Sequence, residues 1–151
     1  LLFVTIVTIL LVIIAWFMPK RLTRTEIYII FFTVSYIEII SDAIFGNIMD
    51  LYYFGGGEEI SLEVLLIKVI MAPMYGIIFL NYMPERRSHF IIYWLVWVAF
   101  STFYEWLTIV FGYLTYKNWT LWYSALFYLA AIPFFRWHFY FIRKGLCWKE
   151  K

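Results

Sequence analysis

Four ionisable residues sit within segments otherwise apolar enough to cross a bilayer: Glu38 and Asp42 in one, Lys68 in the next and Glu105 in the one after. A charge at mid-membrane costs roughly 2.5 to 3.5 kcal/mol on insertion scales, so residues of this kind are paired, hydrated or used. Ser35, Glu38, Asp42 and Gly46 are three or four positions apart and so share one helix face. Ser101, Glu105, Thr108 and Gly112 do the same on a second segment. Between them, Ser61, Lys68, Ala72 and Tyr75 follow a comparable spacing, and Ala72 with Gly76 leaves room for close helix approach. Counting inward at about 1.5 Å per residue places Asp42, Lys68 and Glu105 at a common depth, with Glu38 about one turn further in. The candidate polar cluster is therefore Ser35, Glu38, Asp42, Lys68, Tyr75, Ser101, Glu105 and Thr108.

Three carboxylates around one ammonium carry two uncompensated negative charges, which a poorly solvated site sustains only with a bound cation, water or a retained proton. Two readings stand side by side. One is a binding or ion-pathway site for protons, cations or a small polar solute; the other is an internal salt-bridge network that fixes helix register within a membrane assembly. A third, a lipid-acting enzyme with Glu105 or Asp42 as general base, lacks an accompanying nucleophile or metal. No catalytic residue is assigned, and the chain leans away from being an enzyme.

The elements that must hold this cluster follow from hydropathy. With 65% hydrophobic and 15% charged residues, the 151-residue chain is too apolar for a soluble domain. Runs of about 20 apolar residues, the length a helix needs to cross the bilayer core, fall near 1–18, 26–48, 61–82, 89–112 and 121–142. The expected fold is all-α: a single polytopic bundle of five transmembrane helices. Lys20, Arg21 and Arg24 follow the first run and no small-residue cleavage site does, so it reads as a span and not as a secretory signal. Lys and Arg concentrate in that junction, at Arg86 and Arg87, and at Arg143, Lys144, Lys149 and Lys151. The loop of Asp50, Gly55, Gly56, Gly57, Glu58 and Glu59 has no basic residue, and the loop from Tyr113 to Trp119 has only Lys117. The positive-inside rule then puts the N-terminus outside and the C-terminus in the cytoplasm. Tyr52, Tyr53, Tyr113, Tyr116, Trp119 and Trp122 at the outer ends, and Trp16, Trp137 and Trp148 at the inner ones, read as interfacial anchors, and Arg136 as a snorkelling side chain. Pro73 and Pro133 are expected to interrupt the third and fifth helices and to free the carbonyls of Val69 and Leu129.

An approximate repeat relates the first two helices to the next two. Met18-Pro19-Lys20-Arg21 matches Met83-Pro84-Glu85-Arg86, Ile27-Tyr28 matches Ile92-Tyr93, and Ile44-Phe45-Gly46 resembles Val110-Phe111-Gly112. A parallel duplication about an axis along the membrane normal would produce this, and so would the general likeness of apolar hairpins.

Several functions lose ground by absence. His89 and His138 are the only histidines, no paired-cysteine or HExxH pattern exists, and the lone Cys147 has no partner for an intramolecular disulfide, so neither metal nor cofactor is expected. The modest net charge of +2 does not indicate nucleic-acid binding. The expected partners are the lipid bilayer and, for the polar faces, a second copy of the chain or another membrane subunit. Finally, Tyr104-Glu105-Trp106, Gly112, Tyr116, Asn118-Trp119 and Leu121-Trp122-Tyr123-Ser124 form a stretch over the fourth and fifth spans. It resembles an uncharacterised family of small multi-spanning membrane proteins from spore-forming Gram-positive bacteria. The resemblance implies an all-helical fold and a bacterial plasma-membrane location, and it carries no activity.

Overall fold

The order of elements explains how residues from four distant segments reach one place. A computed structural model describes residues 1–55 and 61–147, apart from the side chain of Cys147. Gly56, Gly57, Glu58 and Glu59 of the acidic loop, and Trp148, Lys149 and Lys151 of the basic tail, lie outside the described residues. Five α-helices run in sequence: α1 (Leu2–Phe17), α2 (Arg24–Asp42), α3 (Leu62–Asn81), α4 (Arg87–Val110) and α5 (Leu121–Cys147). A π-helical turn, Ala43–Ile48, prolongs α2. Among the described residues, four helical stretches are long and apolar enough to cross a membrane: Arg24–Ile48, Leu62–Asn81, Arg87–Val110 and Leu121–Leu146. The first helix is shorter than the expected span. Its 16 residues reach about 24 Å, less than the roughly 30 Å hydrocarbon core.

The two connections at the far end are not simple loops. Tyr52–Phe54 forms strand β1 and Leu114–Tyr116 forms strand β2, paired antiparallel with Tyr52 opposite Tyr116, Tyr53 opposite Thr115 and Phe54 opposite Leu114. Gly55 N–H to the Tyr113 carbonyl (2.8 Å) and Lys117 N–H to the Leu51 carbonyl (2.9 Å) extend the ladder at both ends. The chain enters β2 through a Schellman cap on α4. Gly112 adopts φ +68°, Tyr113 N–H reaches the Thr108 carbonyl and Gly112 N–H reaches that of Ile109.

Helix α3 packs against both α1 and α2, while α4 packs against α5. The α2–α3 contact is close because a methyl group at Gly76 would lie 3.0 Å from Val34 Cγ2, as the small residues of α3 foretell. Pro73 is accommodated in the same contact. It lies within a continuous helix, and the Ser35 hydroxyl donates to the Val69 carbonyl (3.2 Å) that the proline leaves without its usual donor.

The larger buried cluster gathers Met18, Leu22, Ile30, Val34, Ile77, Leu80, Met83, Phe90 and Phe139, and a smaller one of Val4, Val64 and Tyr113 lies under the ribbon. Glu26 is 2% exposed. Its carboxylate closes a capping box with Thr23 (Thr23 N–H to Oε2, 2.8 Å) and accepts from Arg143 Nε at 2.6 Å. Asn81, also 2% exposed, ties the α1–α2 junction to α3 by accepting from Arg21 N–H (2.8 Å) and donating to the Pro19 carbonyl (3.1 Å). Arg136 stays within the protein, its guanidinium 3.9 Å from the Phe90 ring centroid and donating to the Glu85 carbonyl.

Candidate functional site

At the ribbon end the apolar core gives way to a cavity of about 140 Å³. Its walls carry Glu38, Ser41 and Asp42 from α2, Lys68 and Met71 from α3, Tyr104, Glu105 and Thr108 from α4, and Ser124, Phe127 and Tyr128 from α5. Tyr52, Phe54, Tyr113 and Leu114 from the ribbon region line its outer side, together with Trp119.

The four charges do not form one network. Lys68, 6% exposed, bonds directly to Asp42, while Glu38 Oε1 stands 4.0 Å from the ammonium. The ammonium also lies 3.3 Å from the Phe54 ring centroid, a cation–π contact supplied by β1. Asp42 accepts a second hydrogen bond from Tyr52 Oη (3.0 Å). Glu38, Asp42, Lys68 and Glu105 do meet at one cavity, but α4 carries Glu105 to the α5 side, away from the Lys68–Asp42 pair.

There Glu105 is surrounded by neutral donors. Tyr116 Oη and Ser124 Oγ both donate to Oε1 at 2.6 Å, and Tyr128 Oη donates to Oε2 at 2.6 Å. Trp119 Nε1–H donates in turn to Ser124 Oγ (2.7 Å). Among the described residues no Lys, Arg or His forms an ion pair with Glu105. Hydrogen bonds to a charged acceptor contribute about 1.5–3 kcal/mol each, so three of them fix the position of this side chain without supplying a counter-charge. The phenol of Tyr52 is held well above its ordinary range by burial first, then by the negative charges of Glu38 and Glu105. Burial and the bond to Glu105 do the same for Tyr116. Both phenols therefore remain donors at neutral pH.

The remaining cluster candidates divide between roles. Thr108 lines the cavity, and its hydroxyl bonds back to the Glu105 carbonyl (2.7 Å). Ser35 is spent on the carbonyls of Phe31 and Val69. Tyr75 and Ser101 line a second cavity, of about 210 Å³, with Phe79, Trp97, Phe100 and Phe135. The two cavities share Glu38, Ser41, Met71, Tyr104, Phe127 and Tyr128 as walls, so they adjoin.

Tyr52, Tyr116 and Trp119 are also corrected, from interfacial anchors to members of the polar site. Trp16, Trp122 and Trp137 keep the anchor placement, at 74%, 80% and 61% exposure. The signal for Tyr116, Trp119 and Ser124 was present in the sequence as their density just after Glu105, but the three-residue strand that aims Tyr116 back at Glu105 was not.

The fold and site together define an all-α protein with apolar, membrane-length helices and an acidic, aromatic-walled cavity at one end. The chain matches no protein-family model, no curated protein and no solved structure closely enough to carry an argument.

Proposed function

We propose that this is a five-span bacterial plasma-membrane protein that binds a small cation in its acidic cavity, as the binding component of a membrane assembly or as a cation- or proton-linked carrier. The single observation behind this reading is the placement of Glu105. It faces the same cavity as Glu38 and is held by three hydroxyl donors, while the one lysine is bonded to Asp42. A salt-bridge network built only to lock helix register would consume its charges; here, among the described residues, Glu105 has no ion-pair partner and Glu38 shares at 4.0 Å a lysine already bonded to Asp42. The basic residues at the opposite end favour a cavity opening toward the outside, with the N-terminus there too.

The approximate repeat gains support from the ribbon. A tyrosine on each strand, Tyr52 or Tyr116, donates to the carboxylate of the helix just before it, Asp42 or Glu105, and the two tyrosines are cross-strand partners.

The test is flux and binding in proteoliposomes under imposed pH and voltage gradients, with Glu105→Gln in parallel. Cation-dependent current or saturable binding lost in the variant supports the reading. A correctly inserted protein that neither binds nor conducts any cation overturns it and leaves a purely structural cluster.

A further inference from the structure

The second cavity is what a proton or alkali ion would not need. It adjoins the acidic one through Glu38 and Tyr128, holds about 210 Å³, and its walls combine aromatic rings with aliphatic side chains, with Ser101 and Glu38 among the few polar groups. Tyr75 packs against both Phe100 (centroids 6.0 Å apart) and Tyr104 (5.4 Å), and Trp97 sits edge-on to Phe79 and Phe100. One water needs roughly 10–15 Å³ of such space, so each cavity exceeds that about tenfold. An aromatic chamber of this size is poorly suited to water and well suited to an apolar or cationic organic group.

We propose that the paired cavities bind an organic primary ammonium ion with an apolar body: the ammonium between Glu38 and Glu105, the body in the chamber beneath. This rests on the cation-binding reading above and names its ligand class. The hydrogen-bond inventory selects the headgroup. Glu105 already accepts three bonds, which leaves it about one of a carboxylate's four acceptor positions. Among the described residues Glu38 has the 4.0 Å approach of Lys68 and no closer polar partner. An –NH3+ group carries three donors and can satisfy both acids; a quaternary ammonium carries none. The surplus of two negative charges, Glu38, Asp42 and Glu105 against Lys68, supplies the attraction, and the faces of Tyr104 and Tyr128 at the shared wall add cation–π stabilisation. Because the ammonium sits at one end of the ligand and the rings at the other, affinity should grow with the apolar body until the chamber is full.

The same chemistry has two sources, a free amine and the ethanolamine headgroup of a phospholipid, and the experiment separates them. The full chain in nanodiscs of phosphatidylglycerol and phosphatidylcholine is titrated with ethylammonium, butylammonium, 2-phenylethylammonium and benzyltrimethylammonium, against empty discs and against sodium. Tryptophan emission reports binding, since Trp119 and Trp97 line the two cavities. The expected result is affinity rising at least tenfold from ethylammonium to 2-phenylethylammonium, with benzyltrimethylammonium at least tenfold weaker than the latter. Ala131→Phe, which fills the second cavity from α5, should weaken 2-phenylethylammonium at least tenfold and leave ethylammonium unchanged; the smaller Ala131→Leu serves the same purpose if the first variant misfolds. Discs containing phosphatidylethanolamine then assign the source: a tenfold loss of apparent affinity for the added amine means the lipid headgroup occupies the site, and no loss means a free amine. Equal affinity for sodium, ethylammonium and 2-phenylethylammonium overturns the proposal while sparing the cation reading. Absence of binding by every cation overturns both.

Discussion

Two carboxylates at opposite ends of this bundle have been given opposite surroundings. Glu26 is 2% exposed, caps its own helix through Thr23 and is met by Arg143 at 2.6 Å. Glu105 is only partly buried, is held by Tyr116, Ser124 and Tyr128, and faces a cavity. The first has its charge neutralised and its oxygens used locally, as a group serving architecture should. The second has its geometry fixed while its charge stays unspent. Identical side chains thus divide by partner: a cationic partner makes a staple, and a set of neutral donors makes a receptor for something positive.

That contrast can be broken or sharpened in four ways. Arg143→Met should have the largest effect, because it leaves Glu26 buried without its cation. Removing one member of a buried pair costs about 3–5 kcal/mol, and the 39% exposure of the Arg143 side chain lowers the expectation to about 2–3 kcal/mol. Denaturation in detergent should register this loss, with cation affinity unchanged. Glu105→Gln should do the reverse: cation affinity falls at least tenfold, about 1.4 kcal/mol, while stability falls less than in Arg143→Met, because the amide oxygen still accepts from Tyr116 and Ser124 and its NH2 can donate to Tyr128 Oη. A large melting shift with intact binding would make Glu105 a second staple and dissolve the comparison. Tyr116→Phe removes one of the three donors and should lower both stability and affinity by about 1 kcal/mol. Thr23→Ala removes only the cap at the closed end, for about 0.5–1 kcal/mol of stability and no change in binding; a change in binding would reveal coupling between the two ends.

The helices were legible in the sequence because each needs about 20 apolar residues in a row, and hydropathy reads that directly. Helix-face spacing likewise brought Glu38, Asp42, Lys68, Glu105 and Thr108 to one cavity. What escaped was set by contacts that spacing cannot carry. Tyr52–Phe54 and Leu114–Tyr116 are three-residue strands, too short for an alternating pattern, and their pairing crosses more than 60 residues of chain. Without them, Tyr52 and Tyr116 look like any tyrosines at a membrane boundary. Arg143 and Glu26 are 117 residues apart. Thr23 and Glu26 make a capping box in the structure, and nothing local in the sequence says that a guanidinium from the last helix completes it. Depth along a helix was legible, and rotation about it was not: Tyr75, on the expected face, turns to the aromatic chamber instead of to Lys68.

The cage around Glu105 also has a consequence for the protein's birth. Asp42 meets its lysine 26 residues later in the chain, within the first pair of long helices to be made. Glu105 must wait for Tyr116, Ser124 and finally Tyr128, 23 residues on. At translation rates of about 5–20 residues per second, that carboxylate spends roughly one to five seconds without its full set of donors while α5 is still emerging. The acidic cavity is therefore completed only once Tyr128 has emerged, and the closed end later still, when Arg143 reaches Glu26; a ribosome stalled between positions 105 and 128 would leave both ends unfinished, with only the Asp42–Lys68 pair already available to form.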